Sequence, residues 1–421
     1  LFAKSHEVEV IFIKDHKKGP AFSLNEIVNH LQSDQAYFVS YNDIFWKWDY
    51  VLIKEFIKLE NPDAVVFTHT GFHPHLYKNN FSAFCRTIGN KLLETREKNS
   101  FTEDWMAELL SVGVFYYKTG EILKRSISNL ITQNIRVSGE FFPSLTFNSI
   151  VNDGLRVLTN NVTNFVHWGI PEQLEDVLRW ERIFTNPISK TDISLCVMMC
   201  GTGERMKTIS TINKAGIVVS DKMKMYQYVI SRFGSKNVSL IVNDFVKGIA
   251  NAGETKININ KQTISQTDSL CNAIPYIRDM QRVIFTSNDC FGQIDYEELD
   301  RLNEADIVLF GFKPSLMQQK QDSAHTYFEF DGNNVTEIRI KEKSISGYGL
   351  AGMFYVPDGN IFNHLIGFDI ASNPSLDHFV KYLLSIGKII KFTLIQDYVH
   401  LGTPEEFNEF FFWQKYYETF V

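Results

Sequence analysis

The sequence predicts an α/β protein of two tandem Rossmann-like domains with mixed, mainly parallel sheets, spanning residues 1–184 and 190–421. Three observations carry this reading. Landmarks of the first half recur in the second. A glycine loop follows an apolar strand and leads into a helix and another strand, the pattern of a parallel α/β unit. The chain has 421 residues, more than the roughly 250–300 that a single core organises.

In chain order, 8–13 reads as an apolar strand, 25–32 as a helix, 37–40 and 64–67 as strands, and 101–110 as a short helix opened by Thr-Glu-Asp. The boundary falls in Phe184-Thr185-Asn186-Pro187-Ile188-Ser189-Lys190, where Asn-Pro and polar residues interrupt the periodicity. Beyond it, 194–199 is a buried strand, 223–232 a helix and 238–242 a strand. Further strands at 256–259, 283–286 and 306–310 alternate with helices at 269–278 and 296–303. Residues 326–339 form an antiparallel hairpin that turns at Asp331-Gly332-Asn333-Asn334.

The repeat is carried by particular residues. Phe38-Val39-Ser40-Tyr41-Asn42-Asp43 and Ile284-Phe285-Thr286-Ser287-Asn288-Asp289 each read as a strand ending in Asn-Asp, and each Asp lies 24 residues after a small residue, Gly19 or Ser265. His167-Trp168-Gly169-Ile170-Pro171-Glu172 and His400-Leu401-Gly402-Thr403-Pro404-Glu405 each begin 13 residues before a tryptophan, Trp180 or Trp413. Between these anchors Glu97-Lys98 matches Glu342-Lys343, and Pro143-Ser144-Leu145 matches Pro374-Ser375-Leu376. A period near 230 residues is too long for a solenoid, whose repeats run to about 50, so a whole domain is duplicated. On this alignment the first copy is expected to lack on the order of 55 residues at its start, including its phosphate loop and first strand, either because the chain is trimmed there, which is the preferred reading, or because the unit is a remnant.

A formal charge of −7 argues against a nucleic-acid or anionic-membrane surface, which needs a basic patch. No apolar run approaches the roughly 18 residues of a bilayer span. The five cysteines, Cys85, Cys196, Cys200, Cys271 and Cys290, have no CxxC spacing, so neither a disulfide framework nor a zinc ribbon is indicated and the cytoplasm is the simplest location. His69, His73 and His75 match no standard zinc spacing and read as part of a polar loop.

Chemistry concentrates in Cys200-Gly201-Thr202-Gly203-Glu204-Arg205-Met206 and Lys214. Glycines at 201 and 203 let backbone N–H groups approach phosphate oxygens. Arg205 can fork two oxygens, and Lys214 can place a point charge where negative charge accumulates. The loop is not a Walker A motif, because Gly-Lys-Ser/Thr is absent. Asp289 ends an apolar strand, where ligands bind in parallel sheets, and one carboxylate there suits Mg²⁺ held against phosphate oxygens.

As a set, Gly201-Thr202-Gly203-Glu204-Arg205-Met206, Lys214, Lys222-Met223, Asp289, Glu342-Lys343 and Gly402-Thr403-Pro404-Glu405 resemble the sugar nucleotidyltransferase superfamily over nearly all of 193–421 and, without its start, 1–183. The resemblance implies nucleotidyltransferase domains that join an NTP to a phosphorylated small-molecule acceptor and release pyrophosphate. It places Gly201, Thr202, Gly203 and Gln266 on the nucleotide, and Arg205, Lys214 and Asp289 in catalysis. Mg²⁺ would sit on Asp289, with Asp43 as its counterpart in the first unit, and Glu342, Lys343 and Lys98 would meet acceptors. Two positions depart from the pattern. Asn213 stands before Lys214 in place of proline, and His167 and His400 hold the place of a second metal-binding Asp, for which Asp397 could substitute in the second unit. Surface-polysaccharide precursor synthesis is the expected setting, with homo-oligomerisation left open. The competing readings are a non-catalytic sugar-nucleotide-binding tandem, and a glycosyltransferase, whose usual Asp-x-Asp is absent at Asn288-Asp289-Cys290.

Overall fold

The computed structural model describes residues 8–77, 82–163, 165–220, 222–251, 253–259, 262–319, 325–342 and 346–418. Contacts divide the chain into two units, Leu1–Leu174 and Glu175–Val421.

In the first unit, β1 (Tyr37–Ser40), β3 (Ala64–His69), β4 (Ala83–Ile88), β5 (Lys91–Glu97), β6 (Leu109–Tyr117) and β7 (Val157–Asn161) form a sheet in the order β1-β6-β3-β7-β5-β4, while β2 (Ile44–Phe45) pairs with β8 (Val166–His167). The run Ala64-Val65-Val66-Phe67 is buried on both faces, as expected of a central strand. Its side chains alternate: Ala64 and Val66 join one core cluster, Val65 and Phe67 the other. Helix Gly120–Thr132 covers the first of these faces with Leu123 and Ile127, and is started by Thr119, whose side chain accepts from the Ile122 N–H.

The second unit holds β9 (Ser194–Met198), the small pair β10 (Val218–Ser220) and β11 (Met223–Lys224), β12 (Val238–Val242), β13 (Lys256–Asn258), β14 (Gln281–Ser287), β15 (Cys290–Gln293), β16 (Ile307–Phe312), β17 (Tyr327–Asp331), β18 (Asn334–Arg339), β19 (Gly349–Asp358), β20 (Ile390–Leu394) and β21 (Gln396–His400). Its main sheet runs β13-β12-β9-β14-β19-β16-β20-β18-β17, with β15 paired to β21 apart from it. The last six strands repeat the order of the first unit's sheet. The pairing directions agree as well: β16 is parallel to β20 as β3 is to β7, and the other pairings among these six strands are antiparallel in both units.

The sheets are mixed, but the expected excess of parallel pairing is confined to β13-β12-β9-β14. Among the described residues of the first unit one pair is parallel, since β6, like β19, and β5 each run against both neighbours. Other expectations need correction. Residues 8–13 belong to no ladder among the described residues, and an apolar segment becomes a strand only where a neighbour takes its N–H and C=O groups. The helix expected at 101–110 shrinks to one 3₁₀ turn, Trp105–Ala107, since β6 claims the chain from Leu109. His73 and His75 are buried on the turn Pro74–Leu76, with ring nitrogens on the carbonyls of Phe165 and His167, so they are not part of a polar loop.

The division between units precedes the expected 184–190 boundary and falls inside helix Pro171–Thr185. The reason is Trp180, which is fully buried and stacks on Trp413 with ring centroids 6.3 Å apart, tying that end of the helix to Pro404–Glu418. No described helix is long and apolar enough to cross a membrane.

Candidate functional site

Beyond the carboxyl end of β9 the chain turns through Cys200-Gly201-Thr202-Gly203 into a short 3₁₀ turn, Glu204–Met206. Gly203 has φ +71, and a Cβ there would lie 3.2 Å from the Lys214 backbone nitrogen. Glycine is therefore needed twice over, for the left-handed backbone and for the close return of the chain at Lys214. Met206 is buried and anchors the turn. Asn213 does what a proline could not: its Nδ2 donates to the Gly201 carbonyl at 3.0 Å, and its Oδ1 accepts from the Ala215 N–H at 3.1 Å. It closes the loop and opens the turn Lys214–Gly216.

Lys214 then reaches Asp289 just beyond β14. Its Nζ donates to Asp289 Oδ2, and the Ser287 hydroxyl donates to Oδ1. The Asp289 carbonyl accepts from Leu401 N–H at 2.7 Å, which brings the end of β21 alongside. There His400 Nε2 lies 3.5 Å from Asp289 Oδ2, and its Nδ1 is 2.5 Å from Glu406 Oε2. Glu406 is fixed by Thr403, whose hydroxyl donates to it at 3.0 Å and accepts its N–H at 3.3 Å, at the start of helix Pro404–Glu418.

The charges are mutually supporting. Burial alone would raise the Asp289 carboxyl, but Lys214 and His400 outweigh it and hold the group well below the usual carboxylate range. Burial alone would lower His400, yet Glu406 and Asp289 prevail and bring it up to about 10. Glu406 is held low by His400 against its own burial.

Gly402 seals the arrangement, since a Cβ at that position would lie 2.7 Å from Asp289 Oδ2 and closer still to the His400 ring. Gly402→Ala is therefore expected to displace His400 or Asp289 and to lower both thermal stability and nucleotide affinity. Differential scanning fluorimetry and calorimetric titration check it, and wild-type values in both would show the cradle to be loose.

Gly201, Thr202, Lys214 and Gln266 line one cavity of about 560 Å³, together with Ser287 and Asn288. Gln266 opens helix Gln266–Ile277, whose start is capped by Ser265 accepting the Asp268 N–H. Asn288 is buried and its Oδ1 has no hydrogen-bond partner among the described residues, so an acceptor is left at the cavity wall. Arg205 is exposed and makes no hydrogen bond or ion pair with a described residue. Glu342 is exposed and does not line this cavity, and Lys343 lies outside the described residues.

The first unit holds a reduced version. His167 Nε2 lies 4.0 Å from Asp43 Oδ2, and a Cβ on Gly169 would approach that oxygen to 2.5 Å, as at Gly402. No lysine pairs with Asp43 among the described residues. Gln173 stands where Glu406 does in the second unit, its Oε1 accepting the Ile170 N–H at 3.3 Å, and burial lowers His167. Lys98 sits over the Phe142 ring at 4.7 Å, beside Glu97, which is buried, pushed up by burial and hydrogen-bonded by Ser144 at 2.6 Å.

The residues do not fit a built magnesium centre. Both Asp289 oxygens already accept hydrogen bonds, and the next group is an imidazole, whereas Mg²⁺ seeks oxygen donors. No three His, Cys, Asp or Glu side chains among the described residues are grouped to hold a metal ion. Asp397 does not substitute: its side chain is buried, accepts from Arg182 at 2.8 and 3.1 Å, and takes Gln293 at 3.2 Å. Sequence reasoning missed Asn213, Ser287 and Glu406. Of these, Glu406 left a signal, the Thr-x-x-Glu box opening an apolar helix.

No family model and no curated protein matches the sequence. Among solved structures, the chain is similar to the inositol-1-phosphate CTP transferase from T. maritima (16% identity, 54% of this chain and 98% of that one, TM-score 0.45). It is also similar to the nucleoside-diphosphate-sugar pyrophosphorylase from Vibrio cholerae (16% identity, 52% and 98%, TM-score 0.41). Each alignment thus takes in about half of this chain and almost the whole of the solved one.

Proposed function

We propose that the second unit is a nucleotidyltransferase, which transfers a nucleoside monophosphate from an NTP to a sugar phosphate or similar phosphorylated acceptor and releases pyrophosphate. The supporting observation is the meeting of Lys214, from the glycine loop, with Asp289, from the end of β14, at a cavity of about 560 Å³. An acceptor phosphate oxygen attacks the α-phosphorus, the bond from that phosphorus to the α–β bridging oxygen breaks, and pyrophosphate leaves with the electron pair. Little covalent chemistry is asked of the protein, so positioning and charge carry the rate. Backbone N–H groups at Gly201, Thr202 and Gly203 approach the phosphates. Arg205, which makes no hydrogen bond or ion pair with a described residue, takes the β and γ groups. Lys214 faces the α-phosphate, oriented by Asp289, and Gln266 and Asn288 lie on the side of the cavity that receives the nucleoside. Glu342 and Lys343 serve the acceptor, and the product is an activated precursor of the kind used for surface polysaccharide, made in the cytoplasm.

In this reading Asp43 and Lys98 of the first unit follow the same plan, with no lysine paired to Asp43 among the described residues. A matrix of NTPs against phosphorylated sugars and alcohols, read by pyrophosphate release, tests the assignment. Release with one pair, abolished in Asp289→Ala, is the expected result. Nucleotide binding without release from any pair would favour a non-catalytic binding protein, and an undiminished rate in Asp289→Ala would remove that residue from the site.

A further inference from the structure

The carboxylate that the sequence marks for a metal is already answered by the chain's own donors. Ser287 donates to Asp289 Oδ1 and Lys214 to Oδ2, on a side chain 2% exposed. His400 stands between two carboxylates, with Nε2 3.5 Å from Asp289 and Nδ1 2.5 Å from Glu406. A ring so placed turns N–H toward both and offers no lone pair to a cation. Gly402 packs against the same edge, since a Cβ there would lie 2.7 Å from Asp289 Oδ2 and closer still to the His400 ring. Mg²⁺ demands near-octahedral oxygen donors at about 2.0–2.1 Å. Here it would have to displace an ammonium group and then face a hydrogen-bond donor. The first unit keeps only the histidine and the glycine of this arrangement, with His167 Nε2 4.0 Å from Asp43 Oδ2 and Gly169 packed against that oxygen.

We propose that the second unit binds nucleoside triphosphate without a divalent ion on Asp289, the positive charge at that point being supplied by Lys214, with His400, which Glu406 holds in place, closing the other side of the carboxylate. The inference rests on the proposed nucleotide site and concerns how that site neutralises phosphate. Asp289 then acts as a positioning residue for Lys214, and Glu406 as one for His400.

Two measurements on the full chain separate this from the functional reading. In the first, Mn²⁺ is titrated into nucleotide-free protein and free Mn²⁺ is followed by electron paramagnetic resonance. The expected result is no saturable site in the wild type and a new one in His400→Asp, which sets a second carboxylate beside the first. A stoichiometric wild-type Mn²⁺ site that disappears in Asp289→Asn would overturn the proposal. In the second, ATP, CTP, GTP, UTP and dTTP are titrated calorimetrically in EDTA and in MgCl₂. The nucleotide that binds is expected to keep its affinity within about threefold, roughly 0.7 kcal/mol, whereas a loss of tenfold or more in EDTA would contradict it. Absence of any nucleotide binding in either buffer would defeat the functional reading, and the Mn²⁺ titration would still decide the metal question.

Discussion

Replacing Lys214 by alanine is expected to lower pyrophosphate release by at least about 100-fold, the scale on which loss of one preorganised charge donor acts, and to destabilise the second unit by roughly 3–5 kcal/mol, the range for breaking a buried ion pair. Both effects come from one contact. Asp289 is buried, and its depressed carboxyl depends first on Lys214 and then on His400. Without the ammonium group one buried oxygen keeps only the imidazole, 3.5 Å away. The double variant Lys214→Met/Asp289→Asn removes both charges together, so most of the lost stability should return while turnover does not. This combination separates the structural role of the pair from its chemical one. Chemical denaturation of the three proteins, with pyrophosphate release measured on each, checks it. A Lys214→Ala enzyme within twofold of wild type would place the phosphate elsewhere.

The same pair shows what the sequence could and could not reveal. The meeting of Gly203, Lys214 and Asp289 was legible because residue type and position place them: a glycine where the backbone turns left-handed, an aspartate where an apolar strand ends. The strand order was legible in part, since repeated landmarks such as Asn42-Asp43 and Asn288-Asp289 fall at matching strand ends, just after β1 and β14. Which groups would close around the carboxylate was not legible. Ser287, His400 and Glu406 come together only because β21 lies against β15 and the helix beginning at Pro404 follows it, and no local pattern states that pairing. Asp397 misled for the same reason. Its sequence position suits a metal, but its backbone is left-handed at φ +51 and its carboxylate is held by Arg182. Residues 8–13 misled in another way, because their apolar pattern is strand-like and strand formation depends on a neighbour that pattern cannot supply.

A large pH effect should come from His400, and its sign follows from the direction of its shift. The folded value is about 10 against an ordinary 6.5, so the folded state binds this proton more tightly than the unfolded chain does. The stabilisation is fully present below pH 6.5 and is lost as pH rises toward 10. Asp289 and Glu406 act in the opposite range. Both are held below their ordinary values of 3.8 and 4.5, so their contribution is present above those values and is lost on further acidification. The contribution of His400, Asp289 and Glu406 to the unfolding free energy should therefore be greatest between about pH 5 and 6.5, and the His400 part should fall by a few kcal/mol between pH 6.5 and 9. Cys290 and Tyr398 are pushed up from 9.0 and 10.0, so their titration enters only at the alkaline end of that range. His400→Gln keeps a hydrogen-bonding side chain without the titrating proton. Its urea midpoint should start lower at pH 6 and then fall less steeply to pH 8.5, where the wild-type curve descends toward it. Parallel curves for the two proteins over that interval would mean that His400 carries no extra proton in the folded state and that Asp289 is balanced by Lys214 alone.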